Sequence, residues 1–338
     1  MIKKYGKKYG EISNIKENFF IENEKLIKER EYIADIYKKQ PFRVTCKLCG
    51  GSLLTGKEKC FVSHKITYKI CSFCHHVNGI YDDTPQFSEI VYCEQDYGQV
   101  YSEEKYEDFL KRKELIYRPK IHFLEEVISE KLSILEIGSG SGYFCMAASE
   151  ENYDILGIEI SKKQVEFANK MIKKSLCQCV TTEQIVNIIK NTRREIVAAI
   201  GSLEHIYNLS EVLRTISENK NINFLYFSVP LFSLSAFFEM IFQDGFNRQL
   251  GGGHTHLFTF DSINYMNKKY NFEIEGQWNF GMDMVDLQRF IELRLQKYNE
   301  EVVDIFHNKF FGCLDMLQKV VDEADFADEV HMVVKVIH

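Results

Sequence analysis

The stretch Ile134-Leu135-Glu136-Ile137-Gly138-Ser139-Gly140-Ser141-Gly142-Tyr143-Phe144 decides the architecture. A short apolar run reads as a buried strand, and three alternate glycines then open a helix that continues through Met146, Ala147 and Ala148. Glycine suits this turn because a ligand approaches the backbone where a Cβ would clash. Seventeen residues beyond Gly142, a second run, Asp154-Ile155-Leu156-Gly157-Ile158, ends in Glu159. In a βαβ unit, an acid at the tip of the second strand accepts hydrogen bonds from ribose hydroxyls. A glycine-rich turn beside an unrelated surface carboxylate is the bland alternative.

The alternation continues downstream. A helix over 162–174 and a weak strand over 176–181 lead to Ile196-Val197-Ala198-Ala199-Ile200, apolar enough to be buried on both faces. That fourth strand runs into Gly201-Ser202-Leu203-Glu204-His205-Ile206. Doubly wound sheets bind ligands beyond the carboxyl ends of their strands, so topology puts His205 at the mouth of the site. Residues 224–230 supply a fifth strand, and the apolar 231–242 form a helix over the entrance or a subunit contact. Segments 272–278 and 329–337 read as closing strands around a helix over 284–298. The fold expected is α/β, a Rossmann-like doubly wound seven-stranded sheet.

Upstream, Cys46-Lys47-Leu48-Cys49 and Cys71-Ser72-Phe73-Cys74 are two C-x-x-C pairs with 21 residues between Cys49 and Cys71. Two such knuckles supply four thiolates tetrahedrally around a structural Zn²⁺, with strands of a small ribbon between them. Four thiolates leave no open position for catalysis, and His75 or His76 is close enough to stand in for one of them. Cys60 and Cys93 have no paired spacing and read as buried core cysteines. The domains expected are an N-terminal helical arm (1–41), a zinc ribbon (42–80), a linker and helical lid (81–130), and a cofactor-binding domain (131–338). In the arm, 21–39 reads as an amphipathic helix, either solvated or packed on a second copy in a homodimer. In the lid, Pro119 predicts a kink or a break in a helix over 107–130.

The chain has 338 residues, 45% hydrophobic and 27% charged, with a formal net charge of −7. An acidic balance gives no electrostatic help to a nucleic-acid partner. No apolar run is long enough for a membrane span, and the first residues lack the apolar region of a signal peptide, so a cytoplasmic location is expected.

The spacing G-x-G-x-G after Glu136, without a P-loop Lys-Ser/Thr, differs from the dinucleotide pattern G-x-G-x-x-G. It resembles the first motif of class I S-adenosylmethionine (SAM)-dependent methyltransferases, and Leu203-Glu204-His205-x resembles that family's signature after the fourth strand. The resemblance implies a SAM site on Glu136, Gly138, Ser139, Gly140, Gly142, Tyr143, Phe144, Glu159, Ile160, Ser202, Leu203 and Glu204. It makes Tyr101, Tyr106 and Tyr117 candidates to cover the cofactor, and Glu183 the only acid available for the adenine amino group. Each tyrosine is equally well a packing residue.

Gly251-Gly252-Gly253-His254-Thr255-His256 is the second chemical cluster. Histidines at i and i+2 point the same way in an extended segment. Methyl transfer to a hydroxyl needs in-line placement and a proton acceptor with a pKa near 7, which suits His205, His254 or His256. A metal site on two histidines, or a purely structural role, competes with that reading. Together the ribbon, the cofactor domain and this loop resemble the zinc-containing sugar methyltransferases of bacterial polysaccharide and antibiotic-sugar pathways. In the C-methylating members a Tyr-x-Glu-His segment stands here. Gly253 replaces that tyrosine and Thr255 that glutamate, which favours O-methylation of a small-molecule acceptor such as a nucleotide-linked sugar. C-methylation of a keto-sugar nucleotide and a non-catalytic SAM-binding partner protein are the alternatives.

Overall fold

The computed structural model describes residues 1–7, 9, 22–94 and 104–338. Tyr101 and residues 10–21 of the arm lie outside them. A strand β1 (Ile2–Tyr5) is followed by helix α1 (Asn23–Tyr37), which buries Ile33, Ala34, Ile36 and Tyr37 against its own chain. The ribbon strands are β2 (Lys59–Ser63), β3 (Ile66–Ile70) and β4 (Val77–Gly79). A short helix α2 (Pro85–Glu89) is capped by the Thr84 side chain and runs into a π turn (Ile90–Glu94). The predicted break near Pro119 is a π turn (Lys113–Tyr117) between α3 (Tyr106–Arg112) and α4 (Arg118–Val127), with Pro119 in the first turn of α4, where its missing N–H costs nothing.

The alternating half comprises β5 (Ile134–Ile137), α5 (Tyr143–Glu150), β6 (Ile155–Glu159), α6 (Lys162–Ile172), β7 (Cys177–Cys179) and α7 (Thr182–Asn191). It continues with β8 (Ile196–Ile200), α8 (Leu209–Glu218), β9 (Phe224–Pro230), α9 (Leu234–Ile241) and β10 (His256–Leu257). The chain closes through α10 (Phe260–Lys269), β11 (Phe272–Asn279), α11 (Asp283–Leu295), α12 (Glu300–Phe311), α13 (Leu314–Glu323) and β12 (Glu329–Val336).

The main sheet runs β1-β11-β12-β9-β8-β5-β6-β7, parallel except for β12, which is antiparallel to both neighbours. Seven strands of the expected sheet are there. The eighth, β1, pairs parallel with β11 and covers that edge of the sheet. Its four residues are too few and too lysine-rich to announce a strand in sequence. Two apolar layers flank the sheet. One joins its inner face to α7, α8, α10 and the cysteines of the ribbon, the other to α4, α5 and α6. Strand order reverses between β5 and β8, the switch point where such sheets open a crevice.

Gly142 starts α5 with φ +81°, and a Cβ there would sit 2.8 Å from Ala168 Cβ and 2.9 Å from Ile172 Cδ1 of α6. Side-chain bulk is excluded by both backbone and packing. Gly142→Val is expected to cost about 1–3 kcal/mol from overpacking alone, with a further penalty for positive φ. Denaturant unfolding measures it, and an unchanged midpoint would mean that α6 yields freely.

Candidate functional site

At the switch point two turns touch. Gly138, at φ +71°, leaves no room for a Cβ, which would lie 2.7 Å from Ser202 Cβ. Ser202 Oγ in turn donates to the Ile137 carbonyl at 2.8 Å. Across the crevice, Glu159 accepts from the Gly140 N–H at 2.9 Å on one oxygen, and from the Ile160 and Ser161 N–H groups at 2.8 and 2.9 Å on the other. A carboxylate offers about four lone-pair sites. Three are therefore occupied by backbone, so Glu159 clamps the glycine turn and keeps a remaining position on Oε2 for a ligand hydroxyl. Burial raises its pKa above the ordinary carboxylate value, against the pull of those N–H groups.

A cleft of about 240 Å³ opens here, lined by Gly138, Gly140, Glu159, Ile160, Ser202 and His205 among others. The remaining residues assigned to the cofactor from sequence do not line it. Glu136 is buried beneath the turn and accepts from the Cys145 thiol at 3.0 Å. Ser139 is buried, and Gly142 serves the packing of α5 on α6. Tyr143 stacks between Phe109 and Tyr117, with ring centroids at 4.5 and 5.0 Å, and donates to Glu104. Phe144 packs on Tyr226 in the core, and Leu203 is fully buried in the other layer. For Tyr143 and Phe144 the reason is that α5 turns its first side chains sideways, towards α3 and the sheet, once the glycine turn has presented its N–H groups.

The tyrosines that border the cleft are Tyr92, from the π turn after α2, and Tyr207, from the segment after His205. Tyr106 begins α3 with 38% of its surface exposed. On the opposite rim stand Val180, Thr182 and Ile185, while Glu183 is exposed and outside the lining. Thr182 and Ile185 are one helical turn apart, a spacing that sequence could have offered once Glu159 was fixed.

The histidines separate into two pairs. His205 Nδ1 lies 2.6 Å from the Tyr92 hydroxyl, and its ring is 5.3 Å from that of His254. His254 Nδ1 donates to the Gln249 carbonyl at 3.1 Å. His256 instead points into the ribbon, with Nδ1 2.9 Å from His76 Nε2. Both His76 and His256 are fully buried, and Ser262 engages the other nitrogen of His76. So the i, i+2 pair does not act on one spot. Residues 254–256 are extended only from His256, where β10 joins the ribbon sheet by pairing with β4. Burial lowers the pKa of His205 to about 3 and that of His254 well below its usual value, so both are neutral and far from the value near 7 sought for a base. Burial likewise raises Glu204 to about 8.

The four paired cysteines converge. Cys46 and Cys74 Sγ are 3.6 Å apart and Cys49 and Cys71 Sγ 3.7 Å, and all four sulfurs fall within 4.8 Å of one another. Tetrahedral ligands at about 2.3 Å from an ion stand roughly 3.8 Å apart, so the donor set suits a metal such as zinc. The Gly51 N–H and the Asn78 amide approach Cys49 and Cys46, the outer-shell donors thiolates require. His75 pairs with Asp261 and is no ligand. Cys60 and Cys93 are exposed, contrary to the expectation of burial. Cys60 is the second residue of β2, with its side chain exposed, and Cys93 stands beside the Ile160 carbonyl.

An α/β sheet with a glycine turn, a strand-tip acid and a cleft at the switch point defines a nucleotide-type cofactor-binding protein. A family model described as "Methyltransferase domain" matches residues 109–277, half of the chain, and the chain belongs to that family. No curated protein matches it by sequence. Similar solved structures include magnesium protoporphyrin IX methyltransferase from Synechocystis PCC 6803 (9% identity, 75% of this chain and 100% of that one, TM-score 0.48). A SAM-dependent methyltransferase from Archaeoglobus fulgidus has 14% identity over 71% of this chain and 100% of that one, with TM-score 0.43. Phosphoethanolamine N-methyltransferase 2 from Haemonchus contortus has 14% identity, 77% and 62% coverage, and TM-score 0.46. None of them bears on the acceptor of this chain.

Because His76 follows Cys74 and holds His256, the cysteine cluster and the histidine loop are mechanically joined. Cys74→Ser is expected to lower the melting temperature by roughly 5 °C or more. Amide exchange over 254–258 should rise in the same variant. Protection there equal to the parent's would uncouple loop from cluster.

Proposed function

We propose that this chain is a SAM-dependent O-methyltransferase acting on a small hydroxylated acceptor, a sugar or nucleotide-linked sugar. The observation that carries the reading is the continuity of one cleft from the clamped glycine turn to His205. In this reading the cofactor's adenine lies against Val180, Thr182 and Ile185, its ribose reaches Glu159, and its methionine end runs past Gly138 and Ser202. SAM supplies an electrophilic methyl on a sulfonium. The chain's own part is to seat the acceptor oxygen about 3–3.5 Å from that carbon, in line with the breaking bond. His205 borders the cleft with the ring of His254 beside it, and the two neutral rings orient the acceptor hydroxyl rather than take its proton.

The absence of a Tyr-x-Glu pair before His256 favours oxygen over carbon as nucleophile. The four cysteines take a structural Zn²⁺ within the ribbon, which is tied to α8 by Ser210 Oγ donating to the Lys47 carbonyl at 3.2 Å. Among the described residues no helix is long and apolar enough to cross a membrane. The cytoplasm, and a second copy of the chain, are the setting proposed for it.

Glu159→Ala removes a charge-assisted acceptor and the clamp on the turn. SAM affinity by calorimetry is expected to fall roughly 10–100-fold, from about 1.5–3 kcal/mol per hydrogen bond to a charged group. Unchanged affinity would take Glu159 out of the site. His205→Ala and His254→Ala are each expected to lower turnover about 10²-fold through misplacement of the acceptor. The assay is a mass gain of one methylene on a panel of sugar nucleotides, and normal turnover in both variants would remove the histidines from the chemistry.

A further inference from the structure

Beside the cleft, three ligating groups meet that the cysteine site does not use. Glu204 and His205 are consecutive on the 3-10 turn that ends the β8 segment, and His254 comes from the loop before β10. One donor atom from each lies within 4.8 Å of those of the other two. His205 Nε2 is 3.9 Å from Glu204 Oε1. Glu204 is only 4% exposed, and its other oxygen, Oε2, is buried without a hydrogen-bond partner. A buried carboxyl oxygen without a partner is costly unless a ligand takes its lone pairs.

The outer contacts fit ligation as well. His254 Nδ1 donates to the Gln249 carbonyl, leaving the lone pair on its other ring nitrogen. His205 Nδ1 is 2.6 Å from the Tyr92 hydroxyl and fixes the tautomer in the same way when it donates. A carbonyl or hydroxyl partner on the second nitrogen is the outer shell that metal-bound imidazole requires. Ligands at about 2.1 Å from an ion stand roughly 3.0–4.2 Å apart, so a sub-ångström contraction closes the set.

We propose that Glu204, His205 and His254 form a second metal site, an open one for a divalent first-row transition ion. Two imidazoles and one carboxylate select such ions over Mg²⁺ and Ca²⁺, and three protein ligands leave positions for water or a substrate oxygen. Its role in catalysis rests on the O-methyltransferase reading. There the acceptor hydroxyl binds an open position, and its O–H bond breaks with the proton passing to water. The resulting oxygen lone pair forms the O–CH₃ bond as the S–CH₃ bond breaks, giving neutral S-adenosylhomocysteine, the methyl ether and one H⁺.

The test is a Co²⁺ titration of the full chain already loaded with one equivalent of Zn²⁺. A second equivalent is expected to bind with weak visible d–d bands and without the intense thiolate-to-metal band of a cysteine site. Glu204→Gln and His254→Ala should each weaken that second equivalent by more than the roughly 10–100-fold that loss of an outer-shell partner costs. The first equivalent of zinc, retained in both variants, reports that the chain is folded. No second equivalent in the parent, or undiminished binding in both variants, overturns the site. The two readings fail separately. Metal bound without methyl transfer to any sugar nucleotide leaves the site standing and removes the function, and methyl transfer without a second metal does the reverse.

Discussion

The molecule depends on a carboxylate that is nine-tenths buried and yet hydrogen-bonded by three backbone N–H groups. Glu159 sits at the end of β6, and its partners come from two segments: Gly140 of the glycine turn, and Ile160 and Ser161 after the strand. Each N–H in a glycine turn is an unsatisfied donor unless a ligand or a neighbour takes it. By taking one, the acid fixes the shape of the turn before any cofactor arrives. Gly138 and Ser202 complete the arrangement from the other side by packing closer than a Cβ would allow. The crevice is therefore preformed, and binding need not pay for ordering its walls.

A second constraint ties the small ribbon into the same site. Its sheet is completed by β10, so two residues of the catalytic-half chain belong to the ribbon's hydrogen-bond ladder. Arg43 and Lys47 both pair with Asp83, a fully buried arrangement that fixes the ribbon's first knuckle against the segment leading to α2. Breaking a pair of this kind strands a buried charge, which is far costlier than losing a surface ion pair. The apolar layer shared by Cys46, Cys71 and Cys74 with Leu203 and Ile206 places the cluster directly behind the turn bearing His205. The ribbon thus acts as a buttress for the histidine end of the cleft.

What could be read from the sequence follows from how local each signal is. Ile196–Ile200 is legible as a strand because five consecutive apolar residues before a glycine admit few readings. The cysteine knuckles are legible for the same reason, each spacing being fixed by one turn, whereas Glu159 lies a whole helix beyond the glycines and is placed by the βαβ alternation. Tyr143 and Phe144 misled because adjacency to the glycine motif says nothing of the direction in which a helix sends its first side chains. Tyr92 was invisible, since a π turn has no periodic signature and its neighbours are equally rich in tyrosine. The pairing of His256 with His76 depends on a contact 180 residues apart in sequence, which no local pattern encodes.

That long-range pairing explains why two histidines in one short loop have different work. An extended i, i+2 pair would present both rings to one side. Here regular strand geometry begins only at His256, and Gly251 and Gly252 lie in the positive-φ region just before. The loop bends between His254 and His256, so one ring reaches His205 and the other is locked into the ribbon. A residue with a Cβ at Gly252 would meet the Ala34 backbone of α1 at 3.0 Å. The bend is therefore held from outside by the N-terminal helix, and the arm, the ribbon and the cleft converge on a single loop whose conformation positions His254.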